Sequence, residues 1–231
     1  MPTIDWLQRE FSYGYSSGDI LSDAGDPVLL KEEQVVGGSY RDIFMEAIAT
    51  YLRPDSRVLE LGPGRGSWSR AILKYIPNGK LHTIDFQDVS QWLDVDQYGG
   101  RLTCHTVTEN SFACVADDTF DFFWSFGVLC HNNVEQIEQI LGNALNKVKV
   151  GGIAIHQYAD WSKLDDFGWE RGNVPKSFQD LPDDEIWWPR NNRATMVAIS
   201  HRAGWDVLDP DLGLLERDSM VKLQRKVHKQ M

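Results

Sequence analysis

The sequence predicts an α/β fold, a three-layer sandwich in which a mainly parallel seven-stranded sheet carries helices on both faces. Three observations predict it. Short apolar runs rich in β-branched and aromatic residues alternate with longer amphipathic runs between residues 40 and 160, the pattern of strands buried on both faces by crossover helices. The first strand-like run ends in three glycines, Gly62, Gly64 and Gly66, within five positions, which suits a tight strand-to-helix turn. The chain has 231 residues, 42% hydrophobic and 25% charged, enough for one domain with a sizeable core but not for two full ones.

Each element follows from its own pattern. In "YRDIFMEAIATYL", Ile43, Phe44, Ala47, Ile48 and Tyr51 share one helical face, and "RPDS" stops the run. "RVLELG" reads as a buried strand, "SWSRAILKYI" as a helix ended by "PNGK", and "LHTID" as a second strand closing on Asp85. "VSQWLDVDQYGG" is predicted to be a helix and its exit, "RLTCHTVT" a third strand and "DFFWSF" a fourth. "NVEQIEQILGNALNKV" is an amphipathic helix and "GGIAIHQYA" a fifth strand. After residue 160 the pattern loosens into turn formers, charge and tryptophan, then "NNRATMVAISHRAG" reads as a helix and "WDVLDP" and "SMVKLQRKV" as strands. The chain divides accordingly: 1–40 a segment placed to cover the ligand edge, 41–160 the core, 161–190 an insertion over that edge, and 191–231 the helix and strands that complete the sheet.

Composition narrows the partners. A net charge of −11 repels a phosphate backbone, so no nucleic-acid partner is expected. "MPTIDWLQRE" lacks a basic region followed by an apolar run, and no eighteen consecutive residues are apolar, so no membrane association and a cytoplasmic location are expected. Cys104, Cys114 and Cys130 have neither zinc-site pairing nor the even count of a disulfide framework; they are expected to be buried reduced thiols, with no metal. The basic end "VKLQRKVHKQM" reads as a solvated final strand and tail.

In an open parallel sheet, ligands sit beyond the carboxyl ends of the strands, where strand order reverses. That rule gathers residues 62–66, Asp85, Glu109 and Ser125 at one edge. A nicotinamide dinucleotide needs G-x-G-x-x-G, yet the third glycine falls at Gly66, one position early, with Ser67 in its place. Glu60 stands just before the glycines, where it would repel a pyrophosphate and attract a cationic cofactor.

These residues resemble the class I S-adenosylmethionine-dependent methyltransferases, over roughly residues 40 to 160 and again from about 190. "ELGPGRG", "HTIDF", "TENSF" and "DDTFDFFWSFGVLCH" carry the likeness, in order and at sensible spacing. The resemblance implies a Rossmann-like sheet with S-adenosyl-L-methionine as cofactor. Gly62, Gly64 and Gly66 would lie along its methionine portion, with Glu60 near the ammonium directly or through water. Asp85 would accept from both ribose hydroxyls and Phe86 would pack on the adenine. Glu109 or Asn110 would meet the exocyclic amine, the family's usual Asp leaving the choice open, and Ser125 or Phe126 would border the sulfur. Rival roles are turn relief for the glycines and a helix cap for Asp85.

A general base is needed only for a protonated, weakly acidic acceptor such as an alcohol. His131, His156 and Asp160 are the candidates; a core position competes for His156 and a helix cap for His131. Trp161, Trp169, Trp187 and Trp188 lie in the insertion beside Arg190 and Arg193. With Tyr158, the residues Trp187, Trp188, Arg190 and Arg193 are candidates for binding a small polar acceptor, because flat rings and arginine forks suit rings and anions. The rival is that the tryptophans pack the insertion and the arginines pair with Asp183, Asp184 and Glu185. The Asn/Asp-Pro-Pro-aromatic pattern of amino-methylating DNA enzymes is absent after the fourth strand, and no paired acidic loop like that of the protein arginine methyltransferases is evident. The expectation is methylation of a small molecule, at oxygen. The alternatives are a noncatalytic cofactor-binding regulatory or scaffold protein, methylation of a protein, and, more distantly, a nicotinamide oxidoreductase.

Overall fold

The computed structural model describes residues 6, 8, 9, 12, 14–22 and 25–226. Seven strands, β1 (Arg57–Leu61), β2 (Lys80–Asp85), β3 (Leu102–Thr106), β4 (Phe120–Ser125), β5 (Val148–Tyr158), β6 (Trp205–Asp209) and β7 (Ser219–Arg225), form one sheet in the order β3-β2-β1-β4-β5-β7-β6. The first five strands run parallel, and β7 is antiparallel to both β5 and β6. Strand order reverses between β1 and β4, so the predicted ligand edge lies at the carboxyl ends of these two strands.

Alternation along the strands feeds two cores. Val58, Phe122 and Trp124 pack with residues of α1 (Pro27–Val36), α2 (Tyr40–Ile43) and α3 (Ser67–Tyr75) on one face. Leu59, Phe123 and Ala154 pack with α4 (Val134–Leu145) and α6 (Arg193–Arg202) on the other. The insertion contributes α5 (Trp161–Phe167) and a 3-10 turn (Lys176–Asp180). Trp169, Val174, Phe178, Ile186 and Trp188 give it a small core of its own, joined to Cys130, Ala159 and Leu164. Among the described residues no helix is long and apolar enough to cross a membrane.

Several local expectations change. The run after β2 forms 3-10 turns (Val89–Gln91 and Asp96–Tyr98) instead of a helix. Asp88 Oδ1 accepts from the Ser90 amide at 3.0 Å, a local bond that competes with helical pairing, and Gly99 and Gly100 close the segment in left-handed conformation. The helix beginning at Tyr40 widens to a π turn (Phe44–Ile48) and tightens to a 3-10 turn (Ala49–Tyr51), while Ile43, Phe44, Ala47 and Ile48 keep their buried face. The last strand is not a solvated edge: β7 inserts between β5 and β6 and buries Met220, Val221 and Leu223, while the basic tail beyond residue 226 lies outside the described residues. Of the cysteines only Cys130 is buried; Cys104 is half-buried and Cys114 exposed, and all are free thiols.

Candidate active site

β1 delivers the chain into a turn whose three glycines all have left-handed backbones, with φ of 67°, 54° and 79° at Gly62, Gly64 and Gly66. The turn is tied down by the Gly62 amide donating to the Ile84 carbonyl and the Gly66 amide to that of Pro63, both at 2.9 Å. A Cβ at Gly62 would lie 2.3 Å from Val128 Cγ2, one at Gly64 2.4 Å from the Tyr15 carbonyl oxygen, and one at Gly66 2.3 Å from Leu93 Cδ2. The glycines are thus required first by neighbouring protein. The segment around Tyr15 lies directly on the turn, its carbonyl accepting from the Arg65 amide at 2.8 Å and the Ser17 amide donating to Ser67 Oγ at 3.1 Å.

A cavity of about 890 Å³ opens beside this turn, within the roughly 300–1,000 Å³ of small-molecule sites. Gly62, Gly64, Asp85, Phe86, Asn110 and Phe126 line it, as do His131, Trp187 and Trp188. Asp85 sits at the end of β2, its Oδ1 accepting from the Gln87 amide at 2.9 Å. Burial raises its carboxyl to about 6, while backbone amides, including that of Gly64, pull it down. The lining's basic residues, Lys31, Arg171 and Arg217, stand on α1, the insertion and the connection between β6 and β7, and among the described residues no Lys or Arg forms an ion pair with Asp85. A buried carboxylate without a cation suits a hydroxyl-bearing, positively charged ligand and repels a diphosphate, so the donor set fits S-adenosylmethionine.

Four other cofactor candidates, Glu60, Gly66, Glu109 and Ser125, stand off the cavity lining. Glu60 is 1% exposed, and its Oε2 accepts from Ser69 Oγ at 2.5 Å behind the turn. Glu109 is exposed, whereas Asn110 is half-buried, with its carbonyl accepting from Asn143 Nδ2 at 2.8 Å. Ser125 is fully buried, its Oγ 2.8 Å from His156 Nδ1.

Glu60 has a consequence for stability. Burial raises its carboxyl from 4.5 to about 7, partly offset by the Ser69 bond. Its contribution is therefore most favourable below 4.5 and is lost as pH rises through about 7, a swing on the order of 3 kcal/mol. Urea unfolding of Glu60→Gln, which keeps an acceptor for Ser69, should show the variant gaining on the parent between pH 5 and pH 8; an equal difference at both pH values would refute this burial.

Of the catalytic candidates, only His131 reaches the cavity. Its Nδ1 lies 2.8 Å from the Trp187 carbonyl, and its ring meets Trp188 edge-on at 5.2 Å. His156 is fully buried against Phe123, and burial drives its ring down to about 3. Asp160 caps α5, its Oδ1 accepting from the Ser162 amide at 3.1 Å and its Oδ2 from Ser219 Oγ at 2.8 Å. Tyr158 is buried with its hydroxyl on the Pro210 carbonyl at 2.9 Å. Arg190 Nη1 donates to Asp183 and Nη2 to the carbonyls of Phe178, Gln179 and Leu181, stitching the insertion together. Arg193 lies 3.7 Å from Asp160. These five side chains hold the fold and stand outside the cavity lining.

The structure adds residues that the sequence reading missed: Glu32, Tyr40, Cys130, Gln157 and Arg217 all line the cavity. Strand alternation was a signal for one of them, because with His156 turned into the core its neighbour Gln157 faces the other way. Gln157 Oε1 accepts from the Gly127 amide at 2.9 Å, and its Nε2 donates to Asp218 at 2.7 Å.

The sequence matches the family described as a methyltransferase domain over residues 36–209. No curated protein matches it. A SAM-dependent methyltransferase from Aquifex aeolicus shares the fold with a TM-score of 0.60 at 16% identity, over 87% of this chain and 94% of that one. The PH0226 protein from Pyrococcus horikoshii OT3 does so with a TM-score of 0.64 at 12% identity, over 94% and 99%. A 1,6-didemethyltoxoflavin-N1-methyltransferase from Burkholderia thailandensis does so at 0.54 and 13% identity, over 81% and 82%. With a family match across most of the chain and a glycine turn and buried acid that fit the cofactor, this chain belongs to the methyltransferase-domain family as a class I, Rossmann-like, S-adenosylmethionine-dependent methyltransferase.

Proposed function

We propose that the chain methylates a small polar molecule at a hydroxyl oxygen, with His131 as the proton acceptor. The observation that carries this reading is the orientation of His131 on the cavity wall. A carbonyl can only accept, so the 2.8 Å contact with Trp187 places the hydrogen on Nδ1 and makes Nε2 the lone-pair nitrogen of the neutral ring. Burial lowers the ring to about 4, so it is neutral at physiological pH. Such a base is weak towards an alcohol at rest, but the oxygen becomes strongly acidic as its bond to the methyl carbon forms, and then Nε2 can take the proton.

When bound, S-adenosylmethionine supplies a methyl group already activated on a sulfonium. The chain's task is to align the acceptor and exclude water. Trp187, Trp188 and Phe126 give the cavity flat apolar walls, and the Tyr15 segment covers the glycine turn. The size of the cavity favours a small acceptor over a polymer.

The test is incubation with methyl-labelled S-adenosylmethionine and a cell extract divided into small-molecule, lipid, protein and nucleic-acid fractions. Label in the small-molecule fraction that resists ester cleavage but is released as methyl iodide by hot hydriodic acid, as the methyl of an ether is, supports the reading; label that neither treatment releases overturns methylation at oxygen. Label in protein or nucleic acid overturns it.

A further inference from the structure

We infer that the acceptor is a small organic carboxylate, anchored by Arg217 and Tyr40 while a hydroxyl elsewhere on the same molecule is methylated. This rests on the small-molecule reading above and adds the chemical class.

Arg217 lies in the connection between β6 and β7 and is only 8% exposed, yet it lines the cavity. Its Nε and Nη2 donate to Asp218 Oδ2 at 3.0 and 2.7 Å, and its Nη1 to the Gly172 carbonyl at 2.9 Å. The guanidinium lies over the Trp188 ring, 4.5 Å from its centroid. Gln157 donates to the same Asp218 oxygen at 2.7 Å and is itself held by the Gly127 amide. The fork is therefore fixed in plane before any ligand arrives. A guanidinium carries five N–H groups; with these three engaged, one remains on each terminal nitrogen, matching the two oxygens of a carboxylate.

Tyr40 is the second observation. It is 1% exposed and lines the same cavity, and its hydroxyl has no hydrogen-bond partner among the described residues. The ring is held against Trp68 at 5.2 Å and Phe126 at 5.0 Å. Burial pushes the phenol well up, so it stays protonated and able to donate. The residue borders the cavity, where a ligand oxygen could accept from this hydroxyl. Arg217 and Tyr40 feel each other's charge, and Arg217 also acts on His131, so anchor and proton acceptor share one chamber.

Glu32 stands on the same wall, where it would oppose an anion. Burial raises its carboxyl while Arg217 lowers it, and Tyr15 donates a hydrogen bond to it. The arginines that the sequence suggested for this task are engaged elsewhere, Arg190 by the insertion and Arg193 beside Asp160.

The test titrates the protein saturated with S-adenosylhomocysteine with benzoate, a flat carboxylate, and with benzamide, its uncharged counterpart. Benzoate should bind at least about tenfold more tightly. Arg217→Lys should weaken benzoate by about tenfold or more and Tyr40→Phe by about threefold or more, with benzamide and S-adenosylhomocysteine affinities unchanged. Tyr40→Phe removes only the hydroxyl, which has no partner among the described residues, and so keeps the test open if Arg217→Lys fails to fold. Equal binding of the two probes, no benzoate binding, or benzoate binding indifferent to both variants overturns the inference. The labelled small-molecule product, applied to an anion exchanger at pH 8, separates the two ideas. Retention supports the carboxylate, since the anchor is not the methylated atom. Passage through the column overturns it while leaving small-molecule methylation intact.

Discussion

Replacing His131 with alanine should slow methyl transfer by about 10²–10⁴-fold, the contribution of a positioned general base, and leave S-adenosylhomocysteine affinity unchanged. The separation follows from placement: His131 faces the cavity from the turn before α4 and is fixed by Trp187 of the insertion, whereas the cofactor candidates that line the cavity at its other end, among them Gly62, Gly64 and Asp85, lie on the glycine turn and β2. Alanine also removes the donor that the Trp187 carbonyl uses. His131→Asn is therefore the sharper variant, because its amide can still donate to that carbonyl but cannot accept a proton at neutral pH. Both variants should be slow under saturating cofactor in a single-turnover assay. A fast asparagine variant would make His131 a positioning residue for the insertion, and a fast alanine variant would remove it from the reaction.

Asp85→Ala should weaken S-adenosylhomocysteine binding by about 1.5–3 kcal/mol, roughly 10- to 150-fold, the range for hydrogen bonds to a charged group. Its pH dependence is the more specific prediction. Burial raises the carboxyl from 3.8 to about 6 in the free protein, so the ionised form that accepts hydroxyl donors is lost as pH falls through about 6. Affinity should drop on the acid side of that value and be level above pH 7. Asp85→Asn should bind weakly at every pH, without that drop. Calorimetric titrations at pH 5.5 and 8 decide it; an acid-side loss that persists in Asp85→Asn would assign the titration to another group. The His131 ring, lowered to about 4, cannot produce a limb near 6, so the two residues separate in one kcat/KM profile.

The two ends of the cavity differ in how far the sequence reveals them. The cofactor end is built from continuous stretches: β1, three glycines and α3 follow one another, and Asp85 and Phe86 close the next strand. Hydrophobic runs, turn glycines and a strand-terminal acid are local signals, readable because steric and hydrogen-bonding limits act over a few residues. The end proposed for the acceptor is lined by Tyr40, His131, Gln157, Trp188 and Arg217, which lie on five separate segments and obey no common spacing.

By itself the sequence determined the seven strands, the two-sided sheet, the glycine turn and the acid at the end of β2, because backbone sterics and periodic burial set these locally. Only the tertiary structure decided which polar side chains face the cavity. The parity of β5 sends His156 into the core and Gln157 outward, and the insertion's carbonyls and Asp183 engage Arg190. The β6–β7 connection brings Arg217 over Trp188. Burial and partnership depend on contacts between distant segments, and one charged side chain looks like another until its neighbours are in place.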